Sequence, residues 1–189
     1  MTEIFAETAR LILRTLDWEE LPRLVQLLDV WDVARWLAVL PYPYTRKDAE
    51  SFYAELEEPA EPGNPPQFFA VATKTDNLLI GGVGLHAPRG TTAEDHEMEI
   101  GYWLGKDFWG QGFMSEAVRS VVSCGFTHPE IQALIATTAV NNKASQNVLQ
   151  KIGLKNMGLI ERDYPALRGD DHVLKWQMTR PEWQRAYCS

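Results

Sequence analysis

The chain has 189 residues, 45% hydrophobic and 23% charged, which sets aside a disordered chain and predicts one domain over 1–189. Acidic residues outnumber basic ones 26 to 18, a net charge of −8. That argues against a nucleic-acid partner, whose binding rests on neutralised phosphates, and suits a cationic or amine-bearing one. No apolar run reaches the roughly 18–20 residues of a membrane helix, and MTEIFAETAR carries no secretory signal, so no membrane partner and a cytoplasmic location are expected.

In Ala9–Thr15, Leu11 and Leu13 alternate with Arg10, Ile12 and Arg14, a strand pattern. Asp17 and Glu20 have capping-box spacing ahead of a Leu21, Leu24, Val25, Leu28 stripe. Pro22 is tolerated only in a first turn, so an irregular helix start is expected there. Val30–Tyr44 reads as a short helix running into an extended turn. Thr45 and Asp48 cap a further helix carrying Ala49, Phe52, Tyr53 and Leu56. The four prolines of Glu57–Pro66 make that stretch a loop.

Gln67–Thr73 and Leu78–His86 read as a hairpin, and His96–Leu104 as the third strand of a meander, after a loop at Pro88–Asp95. A helical stripe follows, from Met114 through Ala117, Val118, Val121 and Val122. Ile131–Val140 reads as a strand. Asn142–Ile152 reads as a helix with Ala144, Val148, Leu149 and Ile152 inward, ended by Gly153. Leu154–Arg162 and Asp171–Thr179 are two last strands, and Pro181–Tyr187 a terminal helix. The crossover helix between His96–Leu104 and Ile131–Val140 makes these strands parallel neighbours; the others should be mostly antiparallel. The class is therefore α/β, with a mixed sheet.

The chemistry-bearing stretch is Asp107–Glu116, DFWGQGFMSE, between a strand and a helix. Gly110 and Gly112 let the chain bend and a ligand approach, and the helix beyond offers free N–H groups to an anion such as a pyrophosphate. No Walker lysine follows, and Ser115 stands where a dinucleotide fingerprint has its third glycine. Taken alone, a turn without a ligand explains this piece better. The run NKASQNVLQKIG is a second strand-to-helix junction, with Asn142 as its N-cap. Two such junctions on adjacent parallel strands place a ligand beyond the strands' carboxyl ends.

Jointly ARLILR, EIGYWL, DFWGQGFMSEA and NKASQNVLQKIGL give the chain a resemblance to the GNAT superfamily of acyl-CoA-dependent N-acetyltransferases. Within it, the chain resembles the branch of ribosomal-protein N-terminal acetyltransferases. The resemblance covers about residues 9 to 183 and implies a GNAT-like sheet whose two parallel strands, about 96–104 and 131–140, splay apart. It implies acetyl-CoA as co-substrate and no metal. Pantetheine would lie in the gap near Trp103 and Leu104, and the pyrophosphate in the Trp109, Gly110, Gln111, Gly112, Phe113, Met114, Ser115 segment. Asn142 would contact the pantetheine arm.

One departure is Asp107, where the family commonly has Gln or Arg; Lys106 is the candidate to offset that charge. A lysine-type amine, of pKa about 10.4, needs a base at neutral pH. Glu99, where the resemblance places a glutamate beside the cleft, is the candidate, with Glu97 as rival of equal parity, and Ser145, which the resemblance sets near the thioester sulfur, is the candidate acid for the leaving thiolate. Either could instead be a solvated strand carboxylate or an ordinary first-turn serine. Trp36, Tyr42, His86, Tyr164 and His172 are candidate acceptor contacts, and core packing or turn roles explain several of them as well. Cys124 and Cys188 have no metal-ligand spacing, and neither is marked as a nucleophile. The acceptor is an amine, either a small molecule or a protein N-terminus. A homodimer is compatible with the sequence, which decides no oligomeric state. The alternative is a non-catalytic acyl-CoA sensor or interaction domain.

Overall fold

Leu11 and Leu13 are fully buried on one face of a four-residue strand, the alternation that Arg10–Arg14 announced. The computed structural model describes residues 2–58, 65–88, 96–161 and 172–188. In chain order the elements are β1 (Ile4–Glu7), β2 (Leu11–Arg14), α1 (Leu21–Leu28), α2 (Trp31–Ala34), α3 (Arg46–Glu57), β3 (Phe68–Thr73), β4 (Leu79–His86) and β5 (Glu97–Leu104). Then come α4 (Phe113–Thr127), β6 (Ala133–Ala139), α5 (Lys143–Lys151), β7 (Lys155–Glu161), β8 (His172–Thr179) and α6 (Arg180–Tyr187). The strands form one sheet in the order β1-β2-β3-β4-β5-β6-β8-β7. Every neighbouring pair is antiparallel except β5 and β6.

The two faces of the sheet carry separate cores. On one, Met114, Ala117, Val118, Val121 and Val122 of α4 pack with Leu11, Leu13, Ile80, Val83, Leu85 and Leu134. On the other, Leu21, Leu24 and Leu28 of α1 and Ala49 of α3 pack with Ala70 and Leu79. Side chains alternate across a strand, so β4 serves both cores: Leu79 points to one and Ile80 to the other.

The irregular start expected at Pro22 is a single tight turn, Trp18–Glu20, followed by α1 with the proline in its first turn. The Asp17–Glu20 capping box is present. Glu20 also accepts two bonds of 2.7 Å from Arg14, a buried guanidinium further held by Asn77. A buried charge needs such partners to offset its desolvation. The Thr45–Asp48 box likewise opens α3. Two expectations are corrected. Strand β1 was not foreseen; it is short, only partly buried, and lies at the sheet edge. Ala144 is exposed rather than inward, because α5 begins over a cavity. Most of the expected loops at Glu57–Pro66 and Pro88–Asp95 lie outside the described residues.

Helix α6 opens on a box the sequence reading did not name. Glu182 accepts from the Thr179 N–H at 2.8 Å and from Lys155 Nζ at 2.6 Å. The Lys155 bond, then the Thr179 N–H, hold its carboxyl down to about 2. Its contribution is therefore present above the unfolded glutamate value of about 4.3 and lost as pH falls through the folded value. Glu182→Gln should lower stability by ~1 kcal/mol near neutrality. Chemical denaturation across pH should show the gap between the two proteins closing toward pH 2.

Candidate active site

Strands β5 and β6 pair only where Glu97, Met98 and Glu99 face Ala133, Leu134 and Ile135. Beyond Glu99, β5 continues to Leu104 against β4 alone, while β6 continues to Ala139 against β8. The parallel pair thus opens toward its carboxyl ends, as the splayed-strand expectation required. A cavity of about 1040 Å³ occupies this opening and extends toward α2 and α3. Glu99, Ser145, Trp103, Leu104, Asn142 and Trp36 all line it.

At the phosphate-loop end, Gly110 and Gly112 have φ of 75° and 80°, a region that costs other residues strain. Gly112 is the N-cap of α4, and no side chain caps that end. Its first N–H groups are thus available to an anion, as a helix start of this length allows. Trp109, Gly110, Gly112, Phe113, Met114 and Ser115 border the cavity; Gln111 does not, and its side chain donates back to the Asp107 carbonyl at 3.0 Å. Lys106 bonds Asp32 at 2.7 Å rather than pairing with Asp107.

A clamp that sequence reasoning missed holds this loop. Arg10 donates to Glu116 through Nε at 2.7 Å and to the Gln111 carbonyl through Nη1 at 2.9 Å. Thr8 Oγ1 donates to the same carboxylate at 2.6 Å. Burial works upward on the Glu116 carboxyl, but the Thr8 and Arg10 bonds outweigh it and hold it low, hence ionised. The only sequence signal was a pair of opposite charges, Arg10 and Glu116, too far apart along the chain to connect.

Glu99 is 4% exposed and accepts from Thr137 Oγ1 at 2.9 Å. Its rival Glu97 accepts from Gln177 Nε2 at 2.8 Å and pairs with Lys175 at 3.5 Å, and is absent from the cavity lining. His86 lies opposite Glu99 in the β4–β5 ladder. Its Nδ1 donates to the Ala87 carbonyl at 2.9 Å, since a carbonyl can only accept, which leaves Nε2 over Gly101.

Asn142 caps α5 by accepting from the Ser145 N–H at 3.1 Å. Ser145 Oγ lies 2.8 Å from Tyr102 Oη, with either as donor. Tyr102 Oη also reaches the Ser145 carbonyl at 3.0 Å. Burial, against the opposing Ser145 bond, pushes the Tyr102 phenol well above its ordinary value, so it stays protonated. Tyr102 was overlooked, although it sits in EIGYWL beside Trp103. Trp109 Nε1 donates to the Leu104 carbonyl at 2.7 Å and so takes one backbone acceptor expected to be open to a ligand.

Two expected acceptor contacts stand elsewhere. Tyr42 packs edge-on against Trp31, ring centroids 5.0 Å apart, and His172 faces Glu161 at the end of β8; neither lines the cavity. Tyr164 lies outside the described residues. Cys124 is half-buried, and burial pushes its thiol up, away from nucleophilic character. Among the described residues no cluster of three or more metal-binding side chains occurs, and no helix is long and apolar enough to cross a membrane.

An acyl-CoA transferase fold is what a splayed parallel pair, an uncapped helix behind a glycine turn and a buried glutamate define together. The acetyltransferase (GNAT) domain family matches residues 10–155, and the chain belongs to it. It is an acetyl-CoA-dependent N-acetyltransferase. It is similar to the uncharacterized N-acetyltransferase p20 of Bacillus licheniformis, 28% identical over 86% of this chain and 88% of that protein. An acetyltransferase of the GNAT family from Bacillus anthracis shares the fold, with a TM-score of 0.76, 23% identity and coverage of 96% of this chain and 100% of that one. So does RimL, a ribosomal alpha-N-protein acetyltransferase in complex with coenzyme A, with a TM-score of 0.76, 22% identity and coverage of 94% and 98%.

Removing the clamp should loosen the loop without unfolding the chain. Glu116→Gln should weaken acetyl-CoA binding roughly tenfold, as expected for losing charge-assisted bonds between a partly buried carboxylate and a half-exposed guanidinium. Titration calorimetry checks this, and unchanged affinity would show that the loop holds its shape without Arg10.

Proposed function

We propose that the chain, acting as one cytoplasmic domain, moves the acetyl group of acetyl-CoA directly onto a primary amine, with Glu99 as base and Ser145 as acid. The observation that carries this is the placing of Glu99. It is buried, held by Thr137, and faces the same cavity as Ser145 at the point where β5 and β6 part. Acetyl-CoA supplies the activated carbonyl. The residues present suit it: an open β5 edge for an amide-bearing arm, and the free N–H groups of α4 for the pyrophosphate.

The amine nitrogen forms a bond to the thioester carbonyl carbon and the carbon–sulfur bond breaks. Glu99, directly or through a water, takes the proton the nitrogen sheds. A β5 N–H on the gap side, near Trp103, would donate to the carbonyl oxygen as charge collects there. Ser145 gives its proton to the departing sulfur, and Tyr102 Oη, 2.8 Å away, holds the serine oxygen in position. The single Tyr102 proton goes to the Ser145 carbonyl at 3.0 Å, so at rest the serine hydroxyl donates to Tyr102 Oη and turns from there toward the sulfur.

Thiol release from acetyl-CoA, scanned over small amines and N-terminal peptides, tests the proposal. Release should depend on the acceptor, and initial rates with both substrates varied should show no ping-pong pattern. Acetyl-CoA binding without release on any acceptor would favour the sensor reading. Glu99→Gln should lower kcat/KM by about 10²–10⁴. Ser145→Ala should lower kcat more than it raises the Kd of acetyl-CoA; equal turnover would remove Ser145 from the mechanism.

A further inference from the structure

Glu99 can act as base in successive turnovers only if the proton it takes leaves again. Glu99 is 4% exposed, so that proton needs an acceptor at the cavity wall. The groups around Glu99 differ in what they can take. Thr137 Oγ1 already donates to it at 2.9 Å. Glu97, two residues back on β5, accepts from Gln177 at 2.8 Å and pairs with Lys175 at 3.5 Å, and Lys175 lies opposite Thr137 in the β6–β8 ladder. A lysine ammonium has no lone pair to offer, and the Glu97 carboxylate is committed to its two donors.

His86 stands on the other side. It ends β4 directly opposite Glu99, and residues so opposed bring their Cβ atoms to about 4.5–5.5 Å on one face of a sheet. Both line the cavity, where Asp48, Glu55 and Lys151 are the other charged side chains among the described residues. Nδ1 of His86 donates to the Ala87 carbonyl at 2.9 Å, which puts the ring proton there and the lone pair on Nε2. Among the described residues Nε2 has no hydrogen-bond partner. Gly84 and Gly101 pair with each other beneath the ring and carry no side chain to cover that edge. A Cβ at Gly101 would stand 3.8 Å from Nε2, and one at Gly84 3.8 Å from Cδ2. The histidine is half-buried, so solvent reaches it as well as the cavity does.

We propose that His86 is the proton outlet of Glu99, receiving through a water the proton that Glu99 takes from the amine and passing it to solvent. This rests on the proposed role of Glu99 as base. The Glu99 O–H bond breaks and an N–H bond forms at Nε2, which restores the carboxylate and leaves an imidazolium. The Nε2 proton then goes to bulk water or a buffer base, and the neutral ring returns with Nδ1 still bonded to Ala87. Imidazole holds a proton more tightly than a carboxylate does in water, so the first transfer runs downhill. Among the described residues no direct bond joins the two side chains, and a bridging water suits that separation. His86 acts through Glu99 and does not touch the reacting atoms.

The test follows the acetylated amine by mass spectrometry, because free imidazole itself cleaves thioesters, and uses the acceptor that the thiol-release scan finds fastest. His86→Ala should lower kcat at least roughly tenfold without changing the Kd of acetyl-CoA. Added imidazole should restore turnover in that variant, in proportion to its neutral form. His86→Gln fills the same space and keeps a donor for the Ala87 carbonyl, yet cannot carry the proton. It should be as slow as His86→Ala and should not respond to imidazole. A merely structural histidine predicts an active glutamine variant and no imidazole response in either protein. Wild-type kcat in either variant, or a slow His86→Ala that imidazole does not restore, would overturn the outlet and leave Glu99 standing as base. Wild-type turnover in Glu99→Gln, or no transfer to any acceptor, would overturn both.

Discussion

Parallel strands share evenly spaced backbone bonds, and β5 and β6 give these up after three residue pairs. That loss is costly unless each strand is held by its other neighbour. Here β5 is paired to β4 from Glu99 to Leu104, the run that has left β6, and β6 to β8 along its whole length. The sheet therefore splits without either strand fraying. Everything in the site hangs on that split: Glu99 marks its apex, the unpaired run of β5 forms one wall, and α5 starts over the gap.

The second constraint is electrostatic. A helix start suits an anion only if nearby carboxylates are neutralised, and α4 carries Glu116 in its first turn. Arg10 and Thr8 engage that carboxylate and tie the loop to the beginning of β2. The same guanidinium lies 4.4 Å over the Phe113 ring, so one side chain shapes both the loop and the first helical residue.

Much of this was legible in the sequence because its signals are local. Capping boxes at Asp17 and Thr45, the stripe from Met114 to Val122, and the glycines of the phosphate loop need only a few residues of context, and each lies where its pattern placed it. Parity alone put Glu97 and Glu99 on one face and could not rank them. The difference is tertiary: Lys175 and Gln177 of β8 engage Glu97, while Glu99 opens on the cavity. Tyr102 and Arg10 escaped notice for the same reason, since their partners are distant in sequence. Tyr42 was drawn toward the site by its aromatic character, yet it packs on Trp31 at the surface.

Amide hydrogen exchange with and without acetyl-CoA tests the central claim, that the gap between β5 and β6 together with the α4 start receives the donor. Protection should rise at Ile100–Leu104 and at Gln111–Ser115, and little at the β7–β8 ladder. Protection confined to other segments, or none despite binding, would contradict the placement of the coenzyme in the split sheet.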